Sequence, residues 1–381
     1  MGKFDSLCVH PVTDYDNFGG AVTSPVFPSV AYNYLETEDL QYPGFYSTFN
    51  QKRLGEIMAR LEHGAWGVAF SSGMAAISAA ILSFLKVNDH VIFSKDLYGG
   101  TWKFVEQELP RRGISFSYAD NNIANVESLL NKDTKMIYIE TPSNPLLNIF
   151  PLEEIAKFAK RNSLISIVDN TFASPINQLP LEIGIDIVVH SGTKYLGGHN
   201  DLPFGALVSN SHAHKDPIFS TARMYGGSLS PSQCQLAERS LKTLAIRLQR
   251  QNENALKVAR YLESHSLVQK VYYPGLTSHK DYRIARQQMT GFGGMLSFEL
   301  KMKSEELTRF LNSLSMVKPA LSLGGVESLI CSPSATSHKG LSPGERENLG
   351  INDNLVRLSV GVEDALDIID DLRLAIVKAF N

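Results

Sequence analysis

The sequence predicts an α/β protein in which a large domain with a mainly parallel, doubly wound sheet precedes a smaller α+β domain. Three observations predict this class. Apolar, β-branched runs recur from residue 90 onward, helical segments separate them, and the 381 residues are enough to bury more than one core. Strands that are apolar on both faces are typical of a parallel sheet that helices cover on both sides.

Residues 1–50 are predicted to form an extended arm, because they are rich in Pro, Gly, Asn and Tyr and have no sustained helical or strand period. The arm carries many apolar and aromatic side chains. Such side chains need a covering surface, which a neighbouring subunit would provide.

Residues 51–240 are predicted to form the large domain. A helix runs through LGEIMARLEHG, and Ser71-Ser72-Gly73 marks the start of the next helix after a short apolar run. The helix PLEEIAKFAKRN lies among the later strands. The predicted strands are HVIFS, ISFSYA, KMIYIE, LISIVDN, IDIVVHS and GALVSN.

Residues 241–381 are predicted to form the smaller domain, with GGMLSFEL and NLVRLSVGVED as strands and an amphipathic last helix. One long helix across SQCQLAERSLKTLAIRLQRQNENALKVARYLESH is predicted to link the two domains. Its apolar stripe consists of Ala237, Leu241, Leu244, Ala245 and Leu248.

The composition excludes several classes of protein. The 36 basic and 39 acidic side chains leave a formal net charge of −3 without long blocks of one sign, so nucleic acid is not an expected partner. Cys8, Cys234 and Cys331 are too few and too scattered for a disulfide framework or a metal cluster, so buried thiols and no metal are expected. No apolar run has the length of a signal peptide or a membrane span, so a cytoplasmic protein without membrane contact is expected.

Lys194 lies in HSGTKYLGGHND, directly after an apolar strand, where open α/β sheets gather ligand groups. Taken alone it reads as a solvated loop lysine. In a pyridoxal 5'-phosphate site it would be the amine that forms the Schiff base. Asp169, at the end of LISIVD, would hold the pyridine nitrogen protonated. Tyr98, in LYGGTW, would stack on the cofactor ring. The alternative is that Tyr98 is a turn residue that packs on the sheet.

The phosphate of such a cofactor needs N–H groups at a helix start together with hydroxyls. Gly73 and Met74 open the helix of SSGMAAI, and Ser191 and Thr193 would add hydroxyls. Ser72 has a simpler alternative, which is that it only caps this helix.

Eight segments, in the family's order, closely resemble the Cys/Met-metabolism family of pyridoxal phosphate enzymes, which includes the cystathionine synthases and lyases, and the resemblance runs from about Val22 to the C-terminus. The resemblance implies an aspartate aminotransferase-like, fold type I architecture and a homo-oligomer, expected to be a tetramer with active sites shared between subunits. The segments are SSGMAAI, LYGGT, IETPSNPLL, VDNTFASP, HSGTKYLGGHND, YGGSLSP, SLGGVESLICSP and LVRLSVGVED.

By this resemblance Lys194, Tyr98 and Asp169 are catalytic. Arg357 is the arginine that binds the substrate α-carboxylate, with Ser322 and Asn144 assisting, and a guanidinium suits this task because it offers two parallel donors. The implied cofactor-binding residues are Ser72, Gly73, Met74, Tyr98, Asn144, Asp169, Thr171, Ser191, Thr193, Lys194 and Tyr46.

The arm departs from the family pattern. Most members carry a YSR element whose tyrosine and arginine reach the phosphate of the adjacent subunit, whereas this chain has FYSTFNQ. Tyr46 takes the tyrosine position and Thr48 stands where the arginine would be, with the register ambiguous by one residue. Either the phosphate accepts fewer charged partners, or Lys52 or Arg53 substitutes.

Three positions bear on the substrate. Lys103 stands where several cystathionine enzymes have an arginine that faces the distal end of the substrate, although an exposed helix lysine is the alternative. Leu321 replaces a glutamate typical of cystathionine γ-synthases and γ-lyases, and an apolar residue here resembles β-lyases and methionine γ-lyases. Gly100 stands where methionine γ-lyases usually have a cysteine.

The expected function is cleavage or formation of a C–S bond in a sulfur amino acid, by a cystathionine γ-lyase, γ-synthase or β-lyase. The alternatives are a methionine γ-lyase or an O-acetylhomoserine sulfhydrylase-type enzyme and, more remotely, an aminotransferase or an inactive homologue.

Overall fold

The computed structural model describes residues 3–11, 20–35, 40–336, 339 and 342–380. Their strands form two sheets. A seven-stranded sheet has the order β1-β7-β6-β5-β4-β2-β3, and a five-stranded sheet has the order β10-β11-β12-β9-β8. The strands are β1 Trp66–Phe70, β2 His90–Ser94, β3 Ser115–Ala119, β4 Thr134–Glu140, β5 Ile165–Asp169, β6 Ile187–Ser191, β7 Gly205–Ser209, β8 Val268–Tyr272, β9 Met295–Leu300, β10 Lys318–Pro319, β11 Leu329–Cys331 and β12 Leu355–Ser359.

The seven-stranded sheet is mainly parallel, as the sequence predicts. Strands β2 to β6 pair in parallel, and β7 pairs antiparallel with both β6 and β1. Every residue of β2 and β7 is buried, because helices cover both faces of the sheet. The helices are α1 Phe4–Val9, α2 Phe49–Leu61, α3 Gly73–Leu82, α4 Gly99–Arg111, α5 Ile123–Ser128, α6 Leu152–Arg161, α7 Ser174–Asn177, α8 Pro180–Ile183, α9 Lys215–Tyr225, α10 Pro231–Leu241, α11 Leu244–Ser264, α12 Tyr282–Gln288, α13 Ser304–Ser313, α14 Pro343–Asn348 and α15 Ala365–Phe380.

The smaller sheet packs against α11 and α15 around a core of its own, which includes Leu296, Phe298, Phe310 and Leu372. Its strands pair antiparallel except for β10 and β11. The strands of the two sheets lie within the ranges 51–240 and 241–381, while the exact domain boundaries stay predictions.

The prediction of one long linking helix is wrong. The helix is interrupted at Lys242 and Thr243, between α10 and α11. The buried Arg247 side chain stabilises the break, because it donates to the Ser240 carbonyl at 3.0 Å and to the Tyr195 carbonyl at 2.7 Å. Ser240 lies in the last turn of α10, and Tyr195 lies in the loop after β6.

The prediction of an extended arm needs a correction at its start. Residues 4–9 form α1, and Cys8 is 1% exposed in the core of its own chain. The helix is too short for sequence periodicity to reveal it. The prediction of buried thiols is confirmed for Cys8, Cys234 and Cys331.

In the described part of the chain, no helix has both the length and the apolar character needed to cross a membrane.

Candidate active site

A cavity of about 490 Å³ lies at the carboxyl ends of the parallel strands, where residues of the smaller sheet and its loops close it. Such strand ends are the usual ligand site of open α/β sheets. Almost all of the predicted site residues line this one cavity. They are Ser72, Gly73, Met74, Tyr98, Asn144, Asp169, Thr171, Ser191, Thr193, Lys194, Ser322 and Arg357.

Lys194 presents a partly buried amine to the cavity. Burial and, to a smaller extent, the neighbouring positive charge of Arg357 together lower the pKa of this amine to about 8. The amine donates to Ser322 Oγ at 2.9 Å. A lysine in this state has a large neutral fraction near physiological pH, which both nucleophilic attack and proton abstraction require.

Arg357 lies on β12 and is 6% exposed. Its Nη1 donates to Asn144 Oδ1 at 3.0 Å, and its Nη2 donates to the Ser322 carbonyl at 3.1 Å. The three residues predicted to bind the α-carboxylate are therefore in contact. Ser322 has φ of 86°, a left-handed conformation that is unfavourable for serine, so the surrounding structure holds it in place.

Asp169 ends β5 and is 4% exposed. Its Oδ1 accepts the Thr171 N–H at 3.0 Å, and its Oδ2 accepts the Tyr138 hydroxyl at 3.2 Å. Burial raises the pKa of this carboxyl, while the hydrogen bonds from Thr171 and Tyr138 and the proximity of His190 oppose the rise. A cationic ring nitrogen would be the partner that this buried carboxyl needs.

The start of α3 offers an anion cradle. Ser72 caps the helix, since its Oγ accepts the Ala75 N–H at 3.1 Å, and it lines the cavity as well. Gly73 and Met74 occupy the first turn, whose N–H groups have no acceptor within the helix. A Cβ on Gly73 would lie 2.8 Å from the Ser191 Cβ, so only glycine permits this close approach.

Two predicted hydroxyls are partly engaged by the backbone. Thr193 Oγ1 accepts the Phe204 N–H at 3.1 Å and contacts the Phe204 carbonyl at 3.3 Å. Thr171 Oγ1 accepts the Ser191 N–H at 2.8 Å. These bonds hold the loop after β5 against the end of β6, beside Lys194.

Tyr98 stands at the N-cap of α4 and is 48% exposed at the mouth of the cavity. The ring lies over Gly100, where an added Cβ would approach Tyr98 Cε1 to 2.5 Å. The residue at position 100 therefore controls where this ring lies. A cysteine here, as in the methionine γ-lyases that the sequence resembles, would displace the ring from the position seen in this structure.

Two residues predicted for the site lie elsewhere in the single chain. Tyr46 is 4% exposed in the core beside Phe70, and its hydroxyl donates to the Gly226 carbonyl at 2.6 Å. This hydrogen bond occupies the hydroxyl predicted to reach a phosphate. Lys103 is exposed on α4 and does not line the cavity. Both assignments stay predictions, without support from this geometry.

Sequence reasoning missed two polar residues that line the cavity, Glu140 and Thr336, and it missed Tyr138, which does not line the cavity but donates to Asp169 Oδ2. Tyr138 and Glu140 lie on β4, which the sequence indicates only as an apolar strand. Glu140 at a strand end was the available signal, because a carboxyl that ends a parallel strand faces the ligand edge of the sheet. Thr336 also lines the cavity, beside Leu321.

The charges of the cavity limit what it can bind. Its charged lining residues within the described chain are Lys194, Arg357, Asp169 and Glu140. Leu321, Leu323 and Phe172 add apolar surface. In the described part of the chain, no cluster of three or more His, Cys, Asp or Glu side chains is arranged to hold a metal ion.

The residues fit pyridoxal 5'-phosphate by their chemistry. The amine of Lys194, whose pKa is lowered, would hold the aldehyde. The buried carboxyl of Asp169, which accepts a donor on each oxygen, would hold the ring nitrogen. The start of α3, where Gly73 permits close approach, would hold the phosphate.

Comparison with known proteins agrees with this site. Residues 5–377 match the family model described as Cys/Met metabolism PLP-dependent enzyme. A cystathionine beta-lyase of Lactococcus lactis subsp. cremoris is 41% identical over 99% of this chain and 100% of its own. A cystathionine gamma-lyase of Bacillus subtilis is 41% identical over 98% of this chain and 99% of its own. The crystal structure of cystathionine gamma-lyase from Lactobacillus plantarum complexed with L-serine superposes with a TM-score of 0.95 at 39% identity, over the full length of both chains.

Proposed function

Because the chain belongs to the Cys/Met metabolism family of PLP-dependent enzymes, we propose that it uses pyridoxal 5'-phosphate to cleave the carbon–sulfur bond of a thioether amino acid, with cystathionine as the first substrate to test. One observation carries the proposal. The amine of Lys194, with its lowered pKa, lies beside an arginine that Asn144 and the Ser322 backbone already orient. An acid–base group and a carboxylate anchor thus face the same small cavity.

The bound cofactor supplies an electron-withdrawing ring that accepts the charge left at the substrate Cα. Lys194 would hold its aldehyde, Asp169 its ring nitrogen, and the start of α3 its phosphate. Arg357 binds the substrate α-carboxylate through two donors and so turns Cα toward Lys194. Once the substrate amine has replaced it at the aldehyde, Lys194 would be the free neutral amine that takes the Cα proton and returns a proton later. Tyr98 covers the cavity mouth and limits the access of water.

We place β-elimination before γ-elimination. Elimination from Cβ needs one proton removal beside Lys194, whereas elimination from Cγ needs a further proton shift. The γ-enzymes that the sequence resembles have a glutamate where this chain has Leu321, which is 65% exposed at the cavity. The relatives include enzymes named for both reactions, so they do not decide between them.

The γ-elimination of a thioether with an uncharged tail is the second candidate. The only cations among the described lining residues are Lys194 and Arg357, and the mechanism uses both. Among the described residues that line the cavity, no further cation is left for a distal carboxylate. This observation favours a methionine-like tail over cystathionine unless a second subunit contributes to the site.

A product assay separates the two. Cystathionine is mixed with the enzyme, and pyruvate and 2-oxobutyrate are measured separately, with methionine as the parallel substrate. Pyruvate from cystathionine supports β-elimination, and 2-oxobutyrate supports γ-elimination. Amino transfer to 2-oxoglutarate without thiol release would contradict both.

We also propose that the protein assembles as a homo-oligomer, with a tetramer expected from the resemblance. Exposed apolar side chains in the arm support this assembly, among them Val22, Val30, Tyr34 and Leu35 at 68–77% exposure. The cytoplasmic location stays a prediction from the sequence.

A further inference from the structure

Glu140 is a second buried carboxyl in the cavity, and the mechanism above gives it no task. It ends β4, is 4% exposed and lines the cavity together with Asp169. The register pairs Glu140 with Asp169 across the parallel strands β4 and β5. Paired strands lie about 4.8 Å apart, so the two residues are immediate neighbours at the same edge of the sheet.

The two carboxyls differ in the hydrogen bonds that they accept. Asp169 accepts the Tyr138 hydroxyl and the Thr171 N–H, one on each oxygen. Glu140 accepts the backbone N–H of Tyr98 on Oε2 at 2.7 Å. Donors on both oxygens stabilise the ionised form, so the geometry favours the negative charge on Asp169.

Two carboxylates this close cannot both ionise without a large cost. Burial raises the pKa of Glu140 well above its ordinary value, and the charges of Asp169 and Asp96 raise it further. The Tyr98 N–H opposes this effect. The two acidic groups that face Glu140 come from β5 and from the segment before α4, and both favour a proton on Glu140.

The hydrogen bond from the Tyr98 N–H to Glu140 also connects the start of α4 to the sheet. Tyr98 is the N-cap of α4, and no side chain of this local segment caps the helix. Glu140 lies 42 residues away in sequence and satisfies this N–H from a rigid central strand. The contact therefore ties the start of α4, and with it the Tyr98 ring, to the sheet.

We propose that Glu140 is a positioning residue for the reaction, which holds Tyr98 over the cavity by accepting its N–H while carrying a proton itself. The inference deepens the proposed function and rests on it for the role of Tyr98. A neutral Glu140 leaves Asp169 as the single negative charge among the described residues that line the cavity, where the cationic ring nitrogen requires it. An ionised Glu140 would compete for that nitrogen.

The test compares Glu140→Gln, which keeps a neutral acceptor, with Glu140→Met, which fills a similar volume without a good one. Glu106→Gln is the matched control, because Glu106 is a partly buried carboxyl of α4 that accepts the Tyr118 hydroxyl away from the cavity. Glu140→Ala replaces the Met variant if that protein does not fold.

The first measurement is hydrogen exchange, in the cofactor-free protein, of the peptide that contains Tyr98. The second is the pH dependence of the visible cofactor band. The third is kcat and KM with cystathionine and with methionine. Glu140→Gln and the control should match the wild type within about twofold in each. Glu140→Met should exchange at Tyr98 about tenfold faster and lose about tenfold in kcat with a smaller change in KM, as expected when a partly buried donor loses its acceptor.

Two results would overturn the proposal. If Glu140→Gln is impaired like Glu140→Met, or shifts the pH dependence of the band, Glu140 acts as an anion. If Glu140→Met matches the wild type in exchange and kinetics, the contact positions nothing. Failure of the proposed function would look different, since the wild type would then release no keto acid from either thioether, while exchange and the band would still test Glu140.

Discussion

The amine of Lys194 experiences two effects of the same sign. Burial disfavours its charged form, and Arg357 lies near enough to add repulsion. Both lower the pKa, to about 8. The residue proposed to anchor the substrate would therefore also prepare the proposed base, because one positive charge serves both purposes.

Replacing Arg357 should consequently change the pH at which Lys194 reacts. The amine attacks the cofactor aldehyde only when neutral, so the rate of cofactor capture by the cofactor-free wild type should rise with pH through about 8. Arg357→Leu removes the repulsion and should move this midpoint to higher pH. Stopped-flow absorbance of the forming cofactor band measures the midpoint.

Arg357→Lys is the control, because it keeps the positive charge but not the paired donors. Its midpoint should stay near that of the wild type, while its KM for the amino acid rises. A midpoint that Arg357→Leu leaves unchanged would mean that burial alone lowers the pKa.

Sequence reasoning located the residues that lie in distinctive short segments. Lys194, Asp169 and Tyr98 follow or end a strand pattern, Arg357 lies within one, and all four line the cavity. It could not locate Tyr138, because an aromatic residue within an apolar strand has the same pattern whether it packs in the core or binds a carboxylate. Its contact with Asp169 joins adjacent strands 31 residues apart in sequence.

At the scale of elements, the break between α10 and α11 is tied to the loop that carries Lys194. Arg247, in the first turn of α11, is 5% exposed and donates to the carbonyl of Tyr195, the residue after Lys194. Gly198 completes the contact with φ of +68°, and a Cβ there would overlap the guanidinium at 1.9 Å. The apolar stripe continues through the break, which is why the sequence predicts one unbroken helix.

Arg247→Met should destabilise the protein by about 2–4 kcal/mol, because it removes the Arg247 donor from the buried carbonyls of Tyr195 and Leu196, whereas the Ser240 carbonyl keeps the Thr243 N–H at 3.2 Å. Urea unfolding monitored by circular dichroism measures the loss. Arg250→Met on the same helix is the control. The Arg250 side chain is 40% exposed and lies 3.7 Å from Asp364, so a change within about 0.5 kcal/mol is expected. Equal losses in the two variants would contradict the role of Arg247.

At the scale of the whole molecule, the arm leaves apolar side chains in water. Tyr34 and Leu35 are 69% and 77% exposed. Residues that a single chain leaves exposed in this way are expected to pack on a second copy. The predicted contact of the arm with a neighbouring active site lies beyond what one chain contains.

The double variant Tyr34→Asp and Leu35→Asp should therefore weaken assembly without unfolding the chain. Sedimentation velocity should show a shift toward smaller species, and the dissociation constant for pyridoxal 5'-phosphate should rise if the arm completes a neighbour's site. Val87→Asp is the control, since Val87 is 68% exposed outside the arm. Unchanged sedimentation would contradict a role of these residues in assembly.

The order of strands and helices could be predicted from the sequence, because buried parallel strands have a strong apolar signature. The six strands predicted for the large domain all occur, from HVIFS at β2 to GALVSN at β7. The helix α1 was missed because six residues contain fewer than two helical turns. The positions of Tyr46 and Lys103 relative to the cavity depend on tertiary packing, which local patterns do not encode.

The most direct test of the account compares the absorption spectrum of the purified protein with that of Lys194→Ala. Cystathionine and methionine are then added, and pyruvate and 2-oxobutyrate are assayed separately. The account predicts a visible cofactor band that the variant lacks and a keto acid that only the wild type releases. A band of equal strength in Lys194→Ala, or a wild type that binds no pyridoxal 5'-phosphate, would contradict it.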